Sequence, residues 1–109
     1  MTNKPSVLLV EDSAPLAAIY QQYLKNEKIS LAHVDSGKDA KNFIARNIPD
    51  LVLLDLNLPD IQGHEILQWI RDEDFPTSVI VVTSNNSLDV AVDIMRMGAN
   101  DFLDKPVDA

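Results

Sequence analysis

"LVLLDLNLPD" occupies residues 51 to 60, and its reading decides the fold. Four apolar residues, 51–54, form a run too short for a buried helix but the right length for a strand covered on both faces. A carboxylate, Asp55, follows at once, and Pro59 then signals a turn. In open parallel sheets the carboxyl ends of strands are where ligands bind. Asp55 therefore stands where a chemical group would be both rigidly held and reachable.

Outward from this stretch, short apolar runs alternate with segments of helical period, the pattern of β-α units feeding a parallel sheet. Strands are expected at 6–10, 29–34, 51–54, 78–84 and 101–103. Between the first two, Leu16, Ile19, Tyr20, Tyr23 and Leu24 recur at helical spacing, with Ser13 as cap and Pro15 in the first turn. Ser36 caps a second helix that turns Ala40, Phe43 and Ile44 inward and ends near Asn47, before Pro49. Ile66, Leu67 and Ile70 mark a third helix. A fourth begins near Ser87, carries Val90, Ala91, Ile94 and Met95 inward, and ends at Gly98. The fold class is α/β: an open parallel sheet of five strands joined by four helices.

Composition narrows the function. A chain of 109 residues fits one domain, and 46% hydrophobic content supports a core. Nine basic against seventeen acidic residues give a net charge of −8, which disfavours direct nucleic-acid binding by this domain. With no cysteine, disulfides and thiolate metal sites are excluded. No apolar run approaches about 18 residues, so the expectation is a soluble, cytoplasmic domain without membrane contact.

Strand one ends in Glu11-Asp12, strand three in Asp55, strand four in Thr83-Ser84, and strand five runs into Lys105. Singly, each has an ordinary explanation as cap, turn residue or surface charge. Together at one sheet edge, three carboxylates repel one another unless something positive joins them. An ammonium and a divalent cation resolve that repulsion. Mg²⁺ suits an all-oxygen donor set and phosphate oxygens, whereas His33 and His64 lie far apart in sequence and are not read as ligands.

At this point "VLLVEDS", "PDLVLLDLNLPDIQG", "VIVVTS" and "GANDFLDKP" resemble the motifs of bacterial response-regulator receiver domains, in family order and over nearly the whole chain. "AVDIMRMGANDFLDKP" is further similar to receivers of NtrC-class sigma-54-dependent activators, and the start and middle to quorum-sensing regulators of that kind. The resemblance implies a flavodoxin-like, doubly wound sheet with strand order 2-1-3-4-5, and that Asp55 accepts a phosphoryl group from a histidine kinase or histidine phosphotransfer protein. It implies that Asp12, Asp55 and the backbone carbonyl of Asn57 ligate Mg²⁺, with Glu11 acting through a metal-bound water. Glu11 departs from the commoner Asp-Asp pair. Thr83 and Lys105 would contact the phosphoryl oxygens, and Ser84 would leave space beside them. Thr83 and Phe102 would form the switch, Phe102 standing where many members have Tyr. Asn57 and Asn85 would modulate phosphoryl lifetime, and Lys105-Pro106 is a candidate cis peptide.

The resemblance also implies a closing fifth helix, absent after Lys105, so the chain is read as a C-terminally truncated receiver over 1–109. Its output domain, expected to combine ATPase and DNA-binding parts, would lie beyond it. Helix four, strand five and the missing helix would be the output face, and a homodimer stays open. Three other readings compete. An aspartyl-phosphate phosphatase or phosphotransferase would prefer D-x-D to the Asp55-Leu56-Asn57 found. A pseudo-receiver would lack an essential group, and none is missing. A nucleotide-binding domain would need glycines after strand one, where there are none.

Overall fold

In the computed structural model, which describes residues 4–84 and 88–105, the β-α alternation read from the sequence is the observed order. It runs β1 (Ser6–Val10), α1 (Ala14–Leu24), β2 (Ser30–Val34), α2 (Gly37–Asn47), β3 (Leu51–Asp55), α3 (Gly63–Asp72), β4 (Ser78–Thr83), α4 (Leu88–Arg96) and β5 (Asp101–Asp104). The strands form one parallel sheet in the order β2-β1-β3-β4-β5. Leucine and β-branched residues dominate the central strands, as a sheet covered on both faces demands.

Alternation along each strand sorts the core into two layers. Leu8, Val10, Val52, Leu54, Val79 and Val81 face the larger layer, with Ala40 and Ile44 of α2, Ile66, Leu67 and Ile70 of α3, and Ile94 of α4. Leu9 and Val82 face the smaller, with Ala17 and Tyr20 of α1. Burying a side chain such as Leu54 stabilises the fold by about 2 kcal/mol, so the larger layer carries most of the apolar stabilisation.

The helix ends follow their capping residues. Ser13 Oγ accepts from the amide of Leu16 at 3.3 Å with a proline in the first turn of α1, and Ser36 Oγ accepts from Asp39 at 3.2 Å. Beyond α4, Gly98 takes φ +107° while its amide and that of Ala99 return to Met95 and Ile94 carbonyls. That left-handed turn is one glycine reaches cheaply.

The structure corrects some details. Asp55 belongs to β3 itself, β4 stops at Thr83, β2 starts at Ser30, and β5 extends to Asp104. Ile19 and Tyr23 share the helical spacing of the α1 face but stay 43% exposed, while Ala17 is buried instead. Met95 is also exposed. In both helices the apolar stripe is wider than the surface its neighbours cover. The start of the fourth helix near Ser87, Asn85 and the Lys105-Pro106 bond fall on or reach residues outside those described.

Candidate functional site

Parallel register assembles the site. Val10 pairs with Leu54, so Glu11, the next residue, emerges beside Asp55; Asp55 in turn pairs with Val82, one residue before Thr83. Thr83 pairs with Asp104, and its carbonyl accepts from the Lys105 amide at 3.0 Å. Four strand ends thus bring Glu11, Asp12, Asp55, Thr83 and Lys105 to one edge of the sheet.

Glu11 and Asp55 are almost fully buried, at 1% and 4% exposure. Lys105 Nζ donates to both, at 2.8 Å to Glu11 Oε1 and 3.0 Å to Asp55 Oδ2. The remaining oxygens also have donors: the Ser13 amide reaches Glu11 Oε2 at 3.2 Å and the Asn57 amide reaches Asp55 Oδ1 at 3.1 Å. Burial pushes the Glu11 carboxyl above its usual 4.5, opposed by Lys105 and reinforced by Asp55. Burial pulls the Lys105 ammonium down, but its bonds to Glu11 and Asp55 outweigh this and hold it above 10.5.

Exposed Asp12 completes a cluster in which one oxygen from each of Glu11, Asp12 and Asp55 lies within 4.8 Å of the others. At that spacing and an effective dielectric of roughly 20, each like-charged pair repels by about 3 kcal/mol. One ammonium against three carboxylates leaves two negative charges when all are ionised. The donor set is oxygen only, so a hard divalent cation such as Mg²⁺ fits both the charge and the chemistry.

The loop from Leu56 to Gln62 carries Asn57 past the site. At its base the Gly63 amide donates to the Leu56 carbonyl at 2.9 Å, and Asn57 forms an antiparallel bridge with Gln62. A Cβ on Gly63 would run into the Asp55 carbonyl and the Leu56 Cα. Backbone atoms cannot rotate aside, so glycine is required there.

Thr83 is fully buried and lines a cleft of about 340 Å³ with Leu56, Asn57, His64, and Val90, Ile94 and Met97 from or just after α4. Phe102 is half-buried, pairs with Val81 and packs against the larger core layer.

A family comparison matches residues 7–109 to the response regulator receiver domain. The chain belongs to that family. As a receiver it is 43% identical over 101 residues to the regulatory protein LuxO of Vibrio cholerae, covering 93% of this chain and 22% of that protein. It is 33% identical over 106 residues to the response regulator protein PilR of Pseudomonas aeruginosa, covering 97% and 24%. The crystal structure of the signal receiver domain of a LuxO repressor protein from Vibrio parahaemolyticus superposes with a TM-score of 0.95 at 50% identity, covering 97% of this chain and 82% of that one. The similarity to NtrC-class and quorum-sensing receivers read from the motifs is borne out. The chain spans under a quarter of the length of these curated relatives. Receivers are signalling switches of two-component systems rather than classical enzymes, and no helix among the described residues is long and apolar enough to cross a membrane.

The structure brings Glu11, Asp12, Asp55 and Lys105 together, and two further residues lie beside them. Tyr20 lines a groove together with Glu11 and Asp55, and its buried hydroxyl finds no hydrogen-bond partner among the described residues. His33 on β2 places Nε2 2.8 Å from the Glu11 carbonyl. Neither carried a motif: Tyr20 is one of several apolar residues at helical spacing in α1, and His33 lies far from the other histidine in sequence.

Proposed function

We propose that this receiver is a phosphorylation-activated switch that takes a phosphoryl group onto Asp55 from a phosphohistidine on a kinase or phosphotransfer protein. The observation that carries the reading is the Asp55 carboxylate, 4% exposed yet bonded to Lys105 at the open edge of the sheet. An Asp55 oxygen attacks phosphorus, a P–O bond forms as the P–N bond breaks, and the imidazole leaves with the electron pair and takes up a proton. Carboxylates serve as such covalent acceptors. Glu11, Asp12, Asp55 and the Asn57 carbonyl are the residues that would hold Mg²⁺, Glu11 through a water. When bound, Mg²⁺ neutralises charge on the phosphoryl oxygens. Lys105 offsets the same charge from its place beside Asp55, and the Thr83 hydroxyl donates to a phosphoryl oxygen.

Movement of Thr83 would open volume on its side of β5, and Phe102 would turn into it by packing alone, having no hydroxyl to bond. The attached output, of the ATPase and DNA-binding kind, would read that change through α4 and β5. The groove lined by Tyr20, Tyr23, Leu53, Val82 and Leu103 would suit a fifth helix of the kind that closes receivers.

The test is incubation with Mg²⁺ and acetyl phosphate followed by intact mass measurement. One added phosphoryl group is expected in the wild type and none in Asp55→Asn. No gain in the wild type, or an equal gain in the variant, overturns the assignment.

A further inference from the structure

We infer that Asp60 is a positioning residue for the cation site, latching the loop that carries Asn57 onto the amino end of α2. The inference rests on the reading of Asn57 as a carbonyl ligand. Three amides at the start of α2 have no partner within the helix, and each is satisfied from outside it. Gly37 donates to Asp60 Oδ1 at 2.8 Å, Lys38 to Asp60 Oδ2 at 2.9 Å, and Asp39 to Ser36 Oγ at 3.2 Å. One carboxylate thus forks across two donors, the geometry in which an anion gains most from a helix amino terminus. The bonds hold the Asp60 carboxyl below its usual 3.8.

A second feature fixes the same contact by shape. A Cβ on Gly37 would collide with the Ile61 side chain and come within 3.2 Å of Asp60 Oδ1. Ile61 itself packs against the larger core layer. The tip of the loop is therefore seated on α2 by Asp60 and Ile61. Its base is closed by the Gly63–Leu56 bond and the Asn57–Gln62 bridge. Asn57 belongs to the base and stands three residues before Asp60, so the direction of its carbonyl depends on how both ends of the loop are held. Asp60 touches neither the acidic cluster nor Lys105 by any hydrogen bond found among the described residues. Its effect on the site runs through the loop.

Mn²⁺ is the probe, its binding measured by electron paramagnetic resonance well below the melting temperature of every variant. Groups that orient metal ligands typically change affinity by an order of magnitude, so Asp60→Ala should bind Mn²⁺ about tenfold more weakly. Asp60→Asn, which keeps the size but loses one acceptor, should fall between it and the wild type. Ser36→Ala removes the other cap of α2 without touching the loop, and should stay within about twofold of wild type if positioning rather than helix stability is at work. Wild-type affinity in Asp60→Ala, or an equal loss in Ser36→Ala, overturns the role. Should Asp60→Ala fail to fold, wild-type affinity in Asp60→Asn does so. A wild type that binds no Mn²⁺ instead overturns the cation reading itself, and the positioning role with it.

Discussion

Lys105 Nζ lies 3.0 Å from Asp55 Oδ2 while also bonding Glu11, so one ammonium spans two buried carboxylates. Removing it leaves both charges without their shared partner. In Mg²⁺-free buffer Lys105→Met should lose about 3 kcal/mol of stability, the scale of breaking a buried ion pair, measured by urea unfolding. Added Mg²⁺ should recover more stability in the variant than in the wild type, because it supplies the missing positive charge.

The same bonds set an alkaline limit. Against the pull of burial, its bonds to Glu11 and Asp55 hold Lys105 above 10.5, while burial, opposed by Lys105, holds the Tyr20 hydroxyl above 10.0. A raised folded-state value means stability that is complete below the unfolded value and lost as pH rises through the folded one. The wild type should therefore keep its melting temperature up to about pH 10 and lose it beyond. In Lys105→Met that decline should be shallower, leaving the part due to Tyr20.

Tyr20→Phe removes a buried hydroxyl that has no partner among the described residues. Such a group costs about 1–3 kcal/mol when left unsatisfied, so the variant should be about 1 kcal/mol more stable at neutral pH by urea unfolding. Unchanged stability would mean that the hydroxyl is already satisfied, by solvent or by other parts of the chain.

Gly63→Ala should be the most damaging single methyl in the loop. Its Cβ meets backbone of Asp55 and Leu56, and overpacking of this kind costs up to about 3 kcal/mol. Acetyl phosphate labelling should slow as well, since Asp55 itself is displaced.

Thr83→Ala should still gain a phosphoryl group, because Asp55 and Lys105 are untouched. The NMR shifts at Phe102 that accompany phosphorylation in the wild type should shrink. Full-sized shifts in the variant would remove Thr83 from the switch.

The β-α alternation and the site edge were legible because they depend on signals carried by single residues, whereas the strand order came with the family resemblance. A leucine-rich run ending in Asp55, an acidic pair after another run, and a lysine after a third are readable one by one, and parallel strands put all their carboxyl ends at one edge. Helix faces were read less well. Ile19, Tyr23 and Met95 obey the period of their helices, yet exposure is decided by what packs opposite, a property of the neighbour rather than of the stripe. Asp60 was invisible for a related reason. Within "LPD" it reads as a turn residue, and its partners, Gly37 and Lys38, lie more than twenty positions earlier.

The Lys105 bonds close over 94 residues to Glu11 and 50 to Asp55. During synthesis the ribosome releases Asp55 fifty residues before Lys105. A nascent or half-folded chain can present Asp55 but not the charge balance around it, because contacts so distant form only when the last strand docks. Charge balance at this edge is thus a mark of completed folding: Glu11 and Asp55 acquire their shared cation only once the last strand is in place.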